Sequence, residues 1–405
     1  MMESKGISKL DLKRRNRKQI LLSIRENGTL ARVDIAKKLN LTRAAVTIIT
    51  NQMISEGNLE DLNTVQERDN EPKRKGRKKT MIRINPNFKF ALGAAVTADY
   101  ISIGLSNLDG EVLDKSFRPI KGKIDQREIV QFILSASNEL MAKSSLTPDQ
   151  VLGLGIGIAP ERWKQMHGTQ TEFGMDFQKI AYYLEMELNI PVCCDSLITL
   201  YALANIDHVA QSRMNQLLLC SGEEYHIAFI TDGRTDPAAN RDSASVNRFI
   251  VTPNGDKAAG YPNGSVHAEL IRPVLLKKAA AALETDVKKL TFAEIEKAYA
   301  DGNKKIVTLL NRTAEKIAQL IINYAVMYRA ERVILQDFAL SKTGEKLIRD
   351  ALKKLSGSDE QAPELVTSPL TPEHSFLAGS ALAVEALFFE TGGLRRAEPV
   401  VFAIE

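Results

Sequence analysis

The sequence contains few of the residues that stabilise small secreted proteins. Its three cysteines, two of them adjacent at Cys193 and Cys194, are too few for a disulfide framework or a four-thiolate metal site. No apolar run reaches the ~18 residues that a membrane-spanning helix needs. The N-terminal stretch is charged and lacks the apolar core of a signal peptide. These absences predict a cytoplasmic protein without a membrane partner.

The composition instead favours large packed domains and an uneven distribution of charge. A chain of 405 residues with 44% hydrophobic residues should form two or three domains. The first 80 residues hold 19 Lys and Arg against 10 Asp and Glu, whereas the other 325 hold 35 against 40. A basic head on a mildly acidic body is typical of a polyanion-binding module attached to a larger domain. A solvated charged tail is the alternative.

The basic head carries a helix-turn-helix pattern between Thr29 and Gly57. Apolar residues at helical spacing predict a first helix over Leu10 to Glu26, with a run of basic residues among them. A short second helix, a turn at Asn40-Leu41 and a third helix capped by Thr42 follow. This order predicts a recognition helix that lies in the major groove of DNA.

The predicted recognition helix and the segment after it supply candidate DNA contacts. Small and polar side chains on the helix allow close approach and contacts with base edges. A β-wing is expected next, with Lys79 to Ile84 as its return strand, and six of the seven residues from Lys73 to Lys79 are basic. Such residues would bind phosphate, although an exposed hairpin without DNA contact is the alternative. The predicted contacts are Thr42, Arg43, Ala44, Thr47, Asn51, Lys73, Arg74, Lys75 and Arg77.

The body after the head has the order of a mixed α/β fold. Two β-rich runs flank the turn signal Asp109-Gly110, and Val151 to Pro160 reads as a buried strand whose glycines allow close backbone approach. Helical and strand patterns then alternate, ending in a helix predicted from Phe376 to Phe389. The first of these runs resemble the start of an actin-like lobe of the ribonuclease-H type.

The order of all these segments resembles the ROK family (repressor, open reading frame, kinase). A winged helix, a Gly76-Arg77-Lys78 hinge, a strand ending in Asn85-Pro86 and a sugar-kinase-like body are similar to its xylose- and N-acetylglucosamine-type repressors. The resemblance implies an α/β protein with a winged helix-turn-helix and a two-lobed actin-like body. The head would span 1–84, the first lobe 85–200 completed by 376–405, and the second lobe 201–375, with oligomerisation and effector binding assigned to the second lobe.

The motifs that active ROK kinases use for phosphoryl transfer are altered at four places. A kinase needs a base for the sugar hydroxyl, glycine-rich turns for phosphates and carboxylates for Mg²⁺. The catalytic Asn-Asp falls at Ser196 and Leu197, and leucine cannot accept a proton; Asp195 is the alternative base. The other altered positions are Ala95, Thr97, Ala98 and Asp99 in the first phosphate loop, Gly222 to Ala228 in the second, and Gln336, Asp337 and Phe338 on the adenosine side. We therefore expect no enzyme activity.

The resemblance also locates the zinc and sugar sites of the family. Its one histidine and three cysteine ligands fall at Arg248, Ala258, Gly260 and Ser265, none of which suits zinc, so no metal or other cofactor is expected. A rebuilt pocket could hold an acidic or phosphorylated sugar-like effector. The candidate effector residues are Arg162, Arg248, His267 and Glu269, and surface groups around an empty cleft are an equal alternative.

The sequence thus predicts a DNA-binding transcriptional repressor whose catalytically inactive ROK-type body senses a sugar or sugar derivative. One winged helix reads a short site, so a homodimer or homotetramer on palindromic double-stranded DNA is expected. Two alternatives stay open: a sugar kinase with a regulatory head, and a constitutive DNA-binding protein without a small-molecule effector.

Overall fold

The computed structural model describes residues 9–62, 80–120, 124–162, 175–206, 214–236, 240, 242–338, 341–356 and 362–394. The chain divides into two compact units, one of Met1–Leu200, Asp207–Ser212 and Pro372–Glu405, the other of Tyr201–Ile206 and Arg213–Thr371. Each unit has its own five-stranded sheet and its own apolar core. Within the described ranges, no helix is both long and apolar enough to cross a membrane.

The head of the first unit is a winged helix. Asn40 takes a left-handed φ of 53° and ends the second helix, and the Thr42 hydroxyl accepts a hydrogen bond from the Ala45 amide, which caps the third. The three strands pair antiparallel in the order β1-β3-β2. The elements are α1 (Lys9–Asn27), β1 (Leu30–Ala31), α2 (Arg32–Leu39), α3 (Arg43–Ser55), β2 (Leu59–Asp61) and β3 (Met81–Ile84).

The first lobe follows the head in the same unit. Its sheet has the order β6-β5-β4-β7-β8, in which β4, β5 and β6 pair antiparallel and β7 and β8 add in parallel. Helices α4 and α5 contribute to the apolar cluster on the sheet. The elements are β4 (Phe90–Val96), β5 (Tyr100–Ser106), β6 (Val112–Pro119), α4 (Gln126–Lys143), β7 (Val151–Ile158), α5 (Met175–Leu188), β8 (Val192–Ser196) and α6 (Leu197–Ala204).

The second unit repeats this sheet topology. Its order is β11-β10-β9-β12-β13, again three antiparallel strands followed by two parallel ones. Two copies of this order define the actin-like, ribonuclease-H-type fold that the sequence predicts. The elements are β9 (Gln216–Cys220), β10 (His226–Thr231), β11 (Arg234–Thr235), α7 (Val266–Glu269), α8 (Arg272–Leu283), α9 (Phe292–Ala300), α10 (Lys304–Tyr328), β12 (Arg332–Gln336), α11 (Ser341–Ser356) and β13 (Glu364–Thr367).

The last helix returns to the first unit. Helix α12 (Phe376–Val384) lies so close to β4 and β7 that a Cβ atom on Gly155 would stand 2.0 Å from the Gly379 carbonyl oxygen. It continues as one π-helical turn, Glu385–Phe389, where the sequence pattern predicts an uninterrupted α-helix. Glycine at these contacts therefore lets a helix backbone rest directly on the sheet.

The head packs against this C-terminal segment through a shared apolar cluster that includes Ile20, Ile24 and Phe388. Arg17 on α1 lies at the edge of that contact and is 0% exposed. Its guanidinium donates to the carboxylate of Glu56, the amide oxygen of Asn58 and the carbonyl of Gly392, at 2.6, 2.6 and 2.7 Å. A residue in a basic run thus joins the C-cap of α3 to the segment that follows the π-helical turn.

Candidate nucleic-acid interface

One exposed face of α3 carries the five predicted DNA contacts that fall in the helix and its cap. Helix α3 buries Val46, Thr50 and Met53 against the head core. The opposite face exposes Thr42, Arg43, Ala44, Thr47 and Asn51. The wing contacts Lys73, Arg74, Lys75 and Arg77 lie outside the described residues. The described part of the wing is β2 paired with β3, from Leu59 opposite Ile84 to Asp61 opposite Ile82.

A hydrogen-bond network fixes the polar end of this face. Arg32, the first residue of α2, donates from Nε to the Thr50 hydroxyl at 3.0 Å and from Nη2 to the Asn51 Oδ1 atom at 3.1 Å. Its Nη1 atom lies 3.7 Å from a carboxylate oxygen of Asp61. The Asn51 side chain is therefore held in one orientation before any DNA arrives.

The sequence interpretation missed one residue on the face, Ile48. Its side chain is 69% exposed, although its neighbours Val46 and Ile49 point partly or fully into the core. An apolar residue next to an apolar stripe gives no separate signal in the sequence pattern. Its position on the helix shows that it lies between Ala44 and Asn51 on the solvent side.

At the base position of the kinase motif, Leu197 is buried at the start of α6 and packs over Gly157. The alternative base, Asp195, lies at the end of β8 and its Oδ1 accepts the Ser196 amide at 2.6 Å. Burial raises the pKa of Asp195, and the hydrogen bond from Ser196 opposes that shift only in part. Leu197 itself is a packing residue.

The segment at the second phosphate loop is a hairpin turn between β9 and β10. The Tyr225 amide donates to the Asn247 side-chain oxygen at 2.9 Å, and the Asn247 amide group donates back to the Tyr225 carbonyl at 2.8 Å. That amide is consequently already used inside the protein. On the adenosine side, Phe338 packs edge-to-face on Tyr225, with ring centroids 5.9 Å apart. The Tyr225 amide and ring are thus both in contact with other residues of the second unit.

Ion pairs to Glu269 stabilise the segment that corresponds to the zinc site of ROK kinases. Glu269 is buried and accepts from Lys278 and Lys316 at 2.8 and 2.7 Å, and from the Asp256 amide at 2.8 Å. Burial raises the pKa of Glu269, but hydrogen bonds from Lys278, Lys316 and Asp256 outweigh it and lower the pKa to about 2. Within the described residues, no group of three or more His, Cys, Asp or Glu is placed to hold a metal ion.

The other predicted effector residues already make contacts within their own units. Arg248 donates to the Gly260 carbonyl at 3.1 Å, and the His267 ring stacks on Tyr261 with centroids 3.8 Å apart. In the first unit, Arg162 is 3% exposed and donates to two backbone carbonyls, those of Thr97 and Ala98, in the segment of the first phosphate loop. Burial lowers the pKa of Arg162, which Asp99 opposes. His267 and Glu269 lie on α7 and Arg248 precedes it in the second unit, whereas Arg162 belongs to the first unit.

The fold defines a class of protein: a winged helix joined to an actin-like body of two sheets with the same strand order. No family model matches the chain. The chain is 22% identical to the xylose repressor of Caldicellulosiruptor bescii over 80% of this chain and 83% of the relative. It is 21% identical to the xylose repressor of Staphylococcus xylosus, over 91% of this chain and 94% of the relative.

Solved structures agree with this fold. A ROK family transcriptional regulator, described as a homolog of the Escherichia coli MLC protein, matches with a TM-score of 0.74 at 18% identity, over 94% of this chain and 98% of that chain. The ROK hexokinase of Thermus thermophilus matches with a TM-score of 0.58 at 17% identity, over 72% and 97%. Coverage of 94% necessarily includes most of the head. The resemblance to ROK-type regulators and the actin-like fold class are both confirmed.

Proposed function

We propose that this chain is a DNA-binding transcriptional repressor, acting in the cytoplasm, whose ROK-type body no longer phosphorylates sugars. The observation that carries the proposal is the exposed face of α3, on which Arg43, Thr47 and Asn51 stand clear of the head core. One head contacts only a short stretch of DNA. Two heads related by two-fold symmetry on a palindromic operator would contact a site long enough to be specific, so the active form is a homodimer or homotetramer.

The test of DNA binding uses the full chain and sheared genomic DNA. Wild-type protein should enrich short sites near promoters, and a double variant, Arg43→Ala with Asn51→Ala, should lose that enrichment while keeping its melting temperature. Both side chains are exposed, so their removal leaves the core intact. Equal enrichment by the wild type and the double variant would contradict the assignment of this face.

Loss of kinase chemistry is supported by three separate contacts. Leu197 is packed in the core, the Tyr225 amide is bound to Asn247, and Phe338 packs edge-to-face on the Tyr225 ring. A coupled assay of ADP release over hexoses, pentoses and acetylated amino sugars should give no turnover above background. Turnover that Asp195→Asn abolishes would instead establish a sugar kinase with Asp195 as its base.

A sugar or sugar derivative is the proposed effector, because the body has the fold of sugar kinases and relatives over most of the chain are named xylose repressors. Such a ligand would act by binding one conformation of the body better than another. Thermal shifts with xylose, other sugars, sugar phosphates and sugar acids test this. No shift with any of them would favour a constitutive DNA-binding protein.

A further inference from the structure

We propose that Ile48 reads the methyl group of a thymine and that Arg32 holds Asn51 as a hydrogen-bond donor to the neighbouring base edge. This inference rests on the proposed DNA-binding function and adds the kind of base that the face selects. Neither Ile48 nor Arg32 stands out in the sequence pattern. Both residues are given these roles because of where they lie around the exposed face of α3.

The side chain of Ile48 is 69% exposed. Single exposed apolar residues are common on protein surfaces, so exposure alone assigns no role. Ile48 differs because it lies one helical turn from Ala44 and from Asn51, in the middle of the face that would enter the groove. In the major groove, the C5 methyl of thymine is the apolar group that a base pair presents. An isoleucine at this position therefore matches thymine.

Arg32 restricts the orientation of the Asn51 side chain through a hydrogen bond. A guanidinium has donors and no acceptor, so the Asn51 atom 3.1 Å from its Nη2 must be the amide oxygen. The amide NH₂ of Asn51 then points away from Arg32. A bidentate contact with adenine would need that oxygen as an acceptor as well as the NH₂ as a donor. Arg32 occupies one of the two lone pairs of that oxygen and orients the amide, so the NH₂ group is the part of Asn51 that is turned away from Arg32 and can donate to acceptors such as guanine O6 and N7.

The rest of the face adds further donors and one acceptor. Arg43 supplies donors, and the Thr47 hydroxyl donates to the Arg43 carbonyl at 2.8 Å, which turns its hydrogen back into the helix and leaves its oxygen as an acceptor. The face thus combines the donors of Arg43 and Asn51 with the large apolar side chain of Ile48 beside the small Ala44. It should select a site in which a thymine faces Ile48 and the neighbouring base presents hydrogen-bond acceptors, as guanine does with O6 and N7.

The methyl contact is tested by removing the methyl from DNA. A duplex site is first selected from a random library with the full chain, and each thymine is then replaced in turn by deoxyuridine. At one position in each half-site, the wild type should lose about fourfold in affinity, the value expected for one buried methyl group. Ile48→Ala should bind more weakly and show no further loss at that position. Val287→Ala, at a residue 42% exposed in the second unit, is the matched control and should behave as wild type.

The outcomes separate this inference from the function on which it rests. Failure to select any site would refute DNA recognition and the inference together. Two results would refute the contact between Ile48 and thymine and leave DNA recognition standing. One is a selected site at which no deoxyuridine weakens binding by the wild type. The other is a loss of affinity that persists in Ile48→Ala.

The role of Arg32 as a positioning residue has its own readout, base preference at one position. Asn51→Ala identifies that position as the base pair at which discrimination is lost. Arg32→Ala should raise the affinity for adenine relative to guanine there by at least about threefold, because an amide that Arg32 no longer orients can turn both its oxygen and its NH₂ group towards adenine for the bidentate contact. Arg32→Lys should retain the wild-type preference. An unchanged preference in Arg32→Ala, measured on protein with a wild-type circular dichroism spectrum, would remove Arg32 from the recognition scheme.

Discussion

Replacing Arg17 with alanine should loosen the head from the C-terminal segment. The guanidinium is 0% exposed and serves three acceptors, on Glu56, Asn58 and Gly392. The Glu56 side chain is 35% exposed and can be rehydrated when its partner is removed. Asn58, itself 0% exposed, and the Gly392 carbonyl would instead lose a donor in a site that water does not reach. At about 1–3 kcal/mol for each of these two unsatisfied groups, the cost is about 2–6 kcal/mol.

Hydrogen-exchange mass spectrometry measures this cost locally, which suits a chain whose two units need not unfold together. Amides in α1 and in the Glu385–Phe389 turn should exchange faster in Arg17→Ala by at least about 30-fold, the factor that corresponds to 2 kcal/mol. Arg15→Ala is the matched control, since Arg15 is exposed on the same helix. Equal exchange rates in the two variants would refute the view that Arg17 joins the head to the C-terminal segment.

Two further predictions concern the body. Glu269→Gln should lower the free energy of unfolding by about 3 kcal/mol at neutral pH, because the pKa of Glu269 in the folded protein is about 2, below the ordinary 4.5. This stabilisation is present above pH 4.5 and is lost as the pH falls towards 2. The free energies of unfolding in urea should therefore converge for wild type and variant over that range. Glu331→Gln, which removes an exposed carboxylate of the same unit, should match the wild type throughout, and a constant difference for Glu269→Gln would contradict the charge argument. Gly155→Ala should destabilise the first unit by at least about 2 kcal/mol, since the new Cβ would stand 2.0 Å from the Gly379 carbonyl oxygen. Gly222→Ala meets no atom closer than 3.5 Å and should be tolerated, so similar melting temperatures for these two variants would be the contrary result.

Local patterns in the sequence predict most helices and strands well. The helix expected over Leu10 to Glu26 spans Lys9–Asn27, and Lys304–Tyr328 forms a second long helix of the same kind. Both have long apolar stripes at helical spacing, which is the strongest signal of its kind. The π-helical turn at Glu385–Phe389 could not be predicted, because one extra residue in a turn leaves the apolar pattern nearly unchanged.

Contacts between distant residues are what the sequence could not supply. Arg17 stands among basic residues that are typical of a solvated face, and its partners Asn58 and Gly392 lie 41 and 375 residues away. Glu269 reads as an effector residue, but the two lysines that bind it come from α8 and α10. The repeated topology of the two sheets is likewise visible in the strand pairing, whereas the sequence shows no repeat.

The central claim is that the exposed face of α3 recognises a DNA sequence. The most direct test is the affinity of the full chain for its selected duplex, measured by fluorescence anisotropy for the wild type, Arg43→Ala and Arg312→Ala. Arg312→Ala removes the same charge from an exposed position on α10. Arg43→Ala should cost about 1–3 kcal/mol on the selected site and much less on a scrambled one, while Arg312→Ala binds as wild type. Equal affinities of all three proteins for the selected site would contradict the account.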